Sequence, residues 1–216
     1  MNRSPAAVLL ALFALCACHA RAQETAVATG CAPVATAARV APSEGSISGP
    51  LYVTVGGAER KVADAAVKAW IIRGGRQVVY SGLDGAGGYE NEGQSLRAYD
   101  AATGRSRKLM SAYYMIDEVT EATTSAGRTA LLVEMSDGGL GASYLAVVDP
   151  ARGQVFFRRW VKLVSRRGDV ISLGHYRERD WNRLNEGENA RVRPYKVERQ
   201  NLEALLRGRL ITNRPI

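Results

Sequence analysis

The sequence predicts a mainly β protein, an antiparallel meander with imperfect internal repeats and a C-terminal amphipathic helix. A single α+β domain is the alternative. Three observations carry this. Short runs of β-branched and aromatic residues recur, each stopped by a Gly-rich or Asp-containing turn. A strand, loop, strand and Asp-x-x-x-Gly turn is repeated. Leu202, Leu205, Leu206 and Leu210 fall at i, i+3, i+4 and i+8, one face of a helix. The 216 residues are 46% hydrophobic and 23% charged, enough for one buried core. Those proportions exclude a disordered chain and a collagen, and three cysteines are too few for a disulfide-stapled miniprotein.

The elements follow in order. Arg3 precedes an uncharged, mostly apolar run from Ala6 to Cys18, and Ala20-Arg21-Ala22 fits the small-x-small rule. Residues 1–22 therefore read as an export signal cleaved before Gln23. The run is too short for a membrane span, which needs about 20 apolar residues. The alternative uses the same segment: Leu15-Cys16-Ala17-Cys18 looks like a lipobox, which would acylate Cys18 and tether the chain to a membrane. After cleavage only Cys31 remains, read as an idle thiol. Residues 23–48 are rich in Ala, Thr, Pro, Gly and Ser without periodicity and read as a flexible tether. Residues 49–216 form the expected single domain.

Within the domain, residues 51–55 read as a strand ending at Gly56-Gly57, and residues 76–81 as another. Residues 62–72, VADAAVKAWII, are ambiguous: the alanines favour helix, while Val67, Ala69 and Ile71 alternate with Lys68, Trp70 and Ile72. Further strands are expected at 94–100, 112–119, 129–135, 143–148, 155–163 and 170–173. The helix is expected over 198–210, stopped near Gly208.

The repeat runs from Gly75-Arg76-Gln77-Val78-Val79-Tyr80 to the turn at Asp100–Gly104. It recurs from Gly127-Arg128-Thr129-Ala130-Leu131-Leu132 to the turn at Asp149–Gly153, and begins again at Gly168-Asp169-Val170-Ile171. The layout is similar to β-propeller blades. A closed propeller needs about four blades, so three units are read as β-meanders.

Charge is unevenly placed. Residues 152–216 hold sixteen Lys or Arg against seven Asp or Glu, and residues 23–151 hold eleven against fourteen. The excess in the C-terminal part points to an anionic partner. For an exported chain that means an envelope protein, an anionic polysaccharide or lipid head groups rather than nucleic acid. Arg158, Arg166 and Arg167 are the candidate cations. Tyr89 and Trp181 lie in polar stretches and are the candidate surface aromatics, whereas Trp70 and Trp160 read as core.

Catalytic chemistry is thinly represented. Once His19 leaves with the signal, His175 is the remaining histidine, which excludes a multi-imidazole metal site and a Cys/His zinc cluster. No Gly-x-Ser-x-Gly, Walker or dinucleotide fingerprint is present. No metal or cofactor is expected. Asp84, Glu90 and Glu92 in a Gly-rich loop form one polar cluster. Glu90 and Glu92, two apart, would project to one side and could serve a polysaccharide hydrolase. The main expectation is an exported, non-catalytic binding protein of a bacterial cell envelope. The alternatives are that hydrolase and a structural lipoprotein anchored through Cys18.

Overall fold

A computed structural model describes residues 32–83, 94–112, 115–136, 143–185 and 192–208. Thirteen described strands form three antiparallel meanders. The first sheet joins β1 (Ala35–Val40), β2 (Gly49–Val55), β3 (Ala58–Ile72), β4 (Gln77–Leu83), β5 (Gln94–Asp100) and β6 (Ser106–Ser111) in sequence order. The central sheet has β7 (Met115–Thr123), β8 (Thr129–Ser136), β9 (Ser143–Asp149) and β10 (Gly153–Arg159). The C-terminal sheet has β11 (Val161–Arg167), β12 (Val170–His175) and β13 (Lys196–Asn201). Among the described strands no sheet closes into a barrel or ring.

The central sheet is packed on both faces, which explains its sequence. Leu131, Val133 and Met135 of β8 meet Val79, Leu96 and Ala98 of the first sheet. Ala130 and Leu132, pointing the other way, meet Val161, Ile171 and Leu173 of the C-terminal sheet. A strand buried on both sides needs apolar residues at successive positions, and TALLVEM supplies them. A third cluster joins Val78 and Tyr80 of β4 to Leu51 and Val53 of β2.

The first two repeat units span β4–β5 and β8–β9 with the turns that follow them, and β6 and β10 come after those turns. The two turns use the same chemistry. Asp100 Oδ1 accepts from the backbone N–H groups of Ala102 and Thr103, and Asp149 Oδ1 from that of Ala151. Both are carboxylates closing local turns.

Several expectations are corrected. Residues 35–40, assigned to a flexible tether, form edge strand β1, paired with β2 from Ala35↔Val55 to Val40↔Leu51. Arg39 grips Glu59 through two hydrogen bonds of 2.8 Å, and Ala35 is buried. Gly75 admits this strand: its φ is +85°, and a Cβ there would fall 2.5 Å from the Ala35 carbonyl oxygen. The ambiguous segment 62–72 lies in the fifteen-residue strand β3. Pairing on both sides, with β2 and β4, overrides the helical preference of its alanines.

The run 155–163 is two strands. The chain passes from the central to the C-terminal sheet at Trp160, whose φ is +58°. That conformation is strained for a bulky residue. The residue is 40% exposed, not core, and its ring lies 6.4 Å from that of Tyr144 and 6.2 Å from that of Trp181.

The C-terminal helix begins later than expected. Residues 196–201 pair with β12, so helix α2 spans Leu202–Arg207. Asn201 caps it, its side chain accepting from Ala204 N–H at 2.9 Å. Leu202 and Leu206 are buried in the core shared with the central sheet, and Leu205 packs against it; Leu210 lies outside the described residues. Helix α1 (Glu178–Asn185) has no forerunner in the sequence reading. The export signal, Cys18, Cys31 and residues 23–31 also lie outside the described residues.

Candidate functional site

The register of the C-terminal sheet sorts its side chains onto two faces. Leu163, Leu173 and Glu198 lie side by side across the strands, as do Val161, His175 and Lys196. This face packs on the central sheet, with Val161, Ile171 and Leu173 fully buried. The opposite face carries Ser165, Ser172 and Arg199 in one row and Arg167, Val170 and Asn201 in the next. Gly174 stands between Lys162 and Val197. A Cβ built on Gly174 would come within 2.7 Å of a Val164 methyl, so Val164 covers this outward face too.

The outward face is both apolar and cationic. Val164, Val170 and Val197 are 49%, 37% and 48% exposed. Arg167 and Arg199 are exposed, and their guanidinium groups have no partner among the described residues. The strand register places no acidic side chain among the described residues on this face. Asp169, in the β11–β12 turn, accepts from the Ser125 hydroxyl and backbone N–H. Those bonds hold its carboxyl below the usual range.

A carboxylate clamp fixes the sheet from below. Glu198 Oε1 accepts from Arg158 Nε at 3.0 Å and Gln200 Nε2 at 2.6 Å, and its Oε2 lies 3.0 Å from the His175 ring Nε2. Burial pushes this carboxyl up, but the bonds from Gln200, His175 and Arg158 outweigh it and hold it below its usual range. The clamp ties β10, β12 and β13 together. Its three side-chain partners are a guanidinium, an imidazole and a carboxamide, and together they hold the three strands in register. On β8, burial raises the Glu134 carboxyl above its usual range, with attraction to Lys162 opposing.

The structure separates the residues singled out in the sequence. Arg167 lies on the outward face. Arg166 is spent on the carbonyls of Thr123 and Gly168, at 2.6 and 3.0 Å. Arg158 is engaged by Glu198, and its guanidinium lies 4.5 Å from the centre of the Phe156 ring. Trp181, expected at the surface, is 1% exposed on α1. It is enclosed by Trp160 and Tyr176, because α1 turns it and Leu184 inward, where they cluster with Val192. Tyr89, Asp84, Glu90 and Glu92 lie outside the described residues.

Sequence reading missed Arg199 and the three valines. The alternation in Lys196-Val197-Glu198-Arg199-Gln200 is the signal that could have found Val197 and Arg199, but the leucine stripe drew residues 198–200 into a helix. Among the described residues no group of three or more His, Cys, Asp or Glu side chains is placed to hold a metal ion. No helix among them is long and apolar enough to cross a membrane. In comparisons with known proteins, no family model, curated protein or solved structure matches the chain.

Proposed function

We propose that this chain is an exported, non-catalytic binding protein whose C-terminal sheet docks an acidic protein surface. One observation carries the reading: the outward face of β11–β13 sets unpartnered Arg167 and Arg199 among the exposed Val164, Val170 and Val197. Arginine with apolar side chains is the chemistry of a protein interface. A polysaccharide would recruit the cations but leave the valines without complementary surface. Export rests on the leader ending at Ala22 and places the partner in the envelope or outside the cell. We further propose that β4–β6 and β8–β10 are copies of one blade-like unit, a reading supported by the matching turns at Asp100 and Asp149.

The test is capture from an envelope extract at low and high salt, with wild type beside Arg167→Glu/Arg199→Glu. The reading expects an acidic protein held at low salt, released at high salt and lost in the double variant. Capture that ignores both salt and charge reversal contradicts it. Retention on an anionic polysaccharide instead, with no protein captured, replaces the partner class.

A further inference from the structure

The described sheets end on β1 and β6, on β7 and β10, and on β11 and β13. An exposed edge offers unpaired N–H and C=O groups to any other chain, and natural proteins blunt it with bulges, among other devices. The pairing of β1, β6, β7, β10 and β11 with the neighbouring strand breaks register in every case. β13 differs. It pairs with β12 from His175↔Lys196 to Val170↔Asn201 without a break, and it contains no proline. No described strand pairs with its outer side.

The phase of that ladder is fixed at its end. The Leu202 N–H donates to the Asp169 carbonyl at 2.7 Å, which continues the β12–β13 register by one step. In an antiparallel pair, residues bonded to the neighbour alternate with residues turned away from it. Lys196, Glu198 and Gln200 therefore bond to β12, while Val197 and Arg199 turn their N–H and C=O groups to the open edge. The side chains of the same two residues stand on the outward face. Val197 is exposed, and Arg199 has no partner among the described residues.

We infer that the acidic partner docks by adding an extended, antiparallel strand to β13. The inference rests on the docking reading above and gives it a main-chain component. The partner's backbone takes up the edge groups of Val197 and Arg199. An acidic residue stands opposite Arg199 and an apolar one opposite Val197, on the outward face. Charge selects this occupant. A second copy of the chain would bring its own Arg167 and Arg199 to the same face, and opposed like charges are unfavourable.

The experiment is an NMR titration of the full chain with the capped peptide Thr-Thr-Glu-Thr-Val-Glu. Its third and fifth residues, Glu and Val, fall opposite Arg199 and Val197. Saturable shifts are expected at the Val197 and Arg199 amides. Methylating the backbone nitrogens of those two peptide residues should weaken binding about tenfold, whereas methylating the second and fourth, which point away, should not. Val197→Pro removes an edge N–H and no bond to β12. It should weaken the peptide about tenfold while the melting temperature stays near that of wild type. Val197→Ala keeps the N–H and should weaken the peptide about twofold. Absence of saturation, or binding indifferent to both methylation and Val197→Pro, overturns the added strand and leaves the side-chain docking face standing. Equal binding of the peptide with lysine in place of glutamate contradicts the docking reading itself. Dimerisation of the free chain in sedimentation, abolished by Val197→Pro, overturns the acidic partner and makes a second copy the occupant.

Discussion

The central and C-terminal sheets are built from similar short antiparallel strands but are dressed differently. β8 and β9 are apolar at nearly every position, because the first sheet lies on one side and the C-terminal sheet on the other. β11 and β12 bury alternate residues, Val161, Ile171 and Leu173 on the inner face, while β13 adds Glu198 there and leaves Val197 exposed. The lesson is where function has room. A strand buried on both faces is occupied by packing. A strand buried on one face has a second set of positions that the fold does not determine, and here that set holds Arg167, Arg199 and three exposed valines.

The contrast can be broken most forcefully in the middle. Leu132→Ala removes a fully buried side chain from the core shared by the two sheets. It should cost about 2–5 kcal/mol in denaturant unfolding. A loss as small as that of an exposed valine would mean the central sheet is not the shared layer. Trimming Val197 to Ala on the outward face should stay within about 0.5 kcal/mol.

Next is the clamp between them. Glu198→Gln should destabilise modestly at neutral pH and flatten the acid limb of the stability curve. The folded carboxyl titrates below its unfolded value of 4.5. Its contribution is therefore complete above pH 4.5 and lost as pH falls through the lower folded value. Melting temperature against pH reads this directly. Glu134 carries the opposite sign. Its folded carboxyl titrates above the unfolded value, so the folded state holds the extra proton and stability declines as pH rises from 4.5 through the raised value. Glu134→Gln should remove that decline and leave the protein slightly more stable at neutral pH. A melting temperature lowered by this change would contradict the burial argument. The smallest expected effect is on the outward face: Arg167→Glu/Arg199→Glu should alter stability by no more than about 0.5 kcal/mol per residue while abolishing partner capture.

Legibility in the sequence follows the same divide. β4, β5, β8 and β9 are readable because local composition alone reports burial on both faces, and the turns at Asp100 and Asp149 announce themselves through residue type. β1 is not readable. Its Ala-Thr-Ala-Ala run has no strand signature, and what fixes it is distant: pairing with β2, Glu59 on β3 and the close approach to Gly75. The C-terminal leucine stripe is readable, but its start is not, because pairing of 196–201 with β12 sets it from outside the local pattern. At the candidate face, Arg167 could be flagged from charge. That Arg166 turns to the Thr123 carbonyl while Arg199 shares the outward face depends on register between strands some thirty residues apart. Trp181 misleads for a related reason: Arg179 and Arg183 beside it are exposed, while its own ring faces Tyr176 and Trp160.

The most direct test of the central claim is site-specific photo-crosslinking in the producing cell. One photoreactive side chain replaces Val197 on the outward face, and a second replaces exposed Thr120 on β7 as control. The account predicts an acidic protein captured from position 197, absent from position 120, and lost from 197 when Arg167 and Arg199 are reversed to Glu. Equal capture at both positions, or capture at 197 that survives the charge reversal, would contradict it.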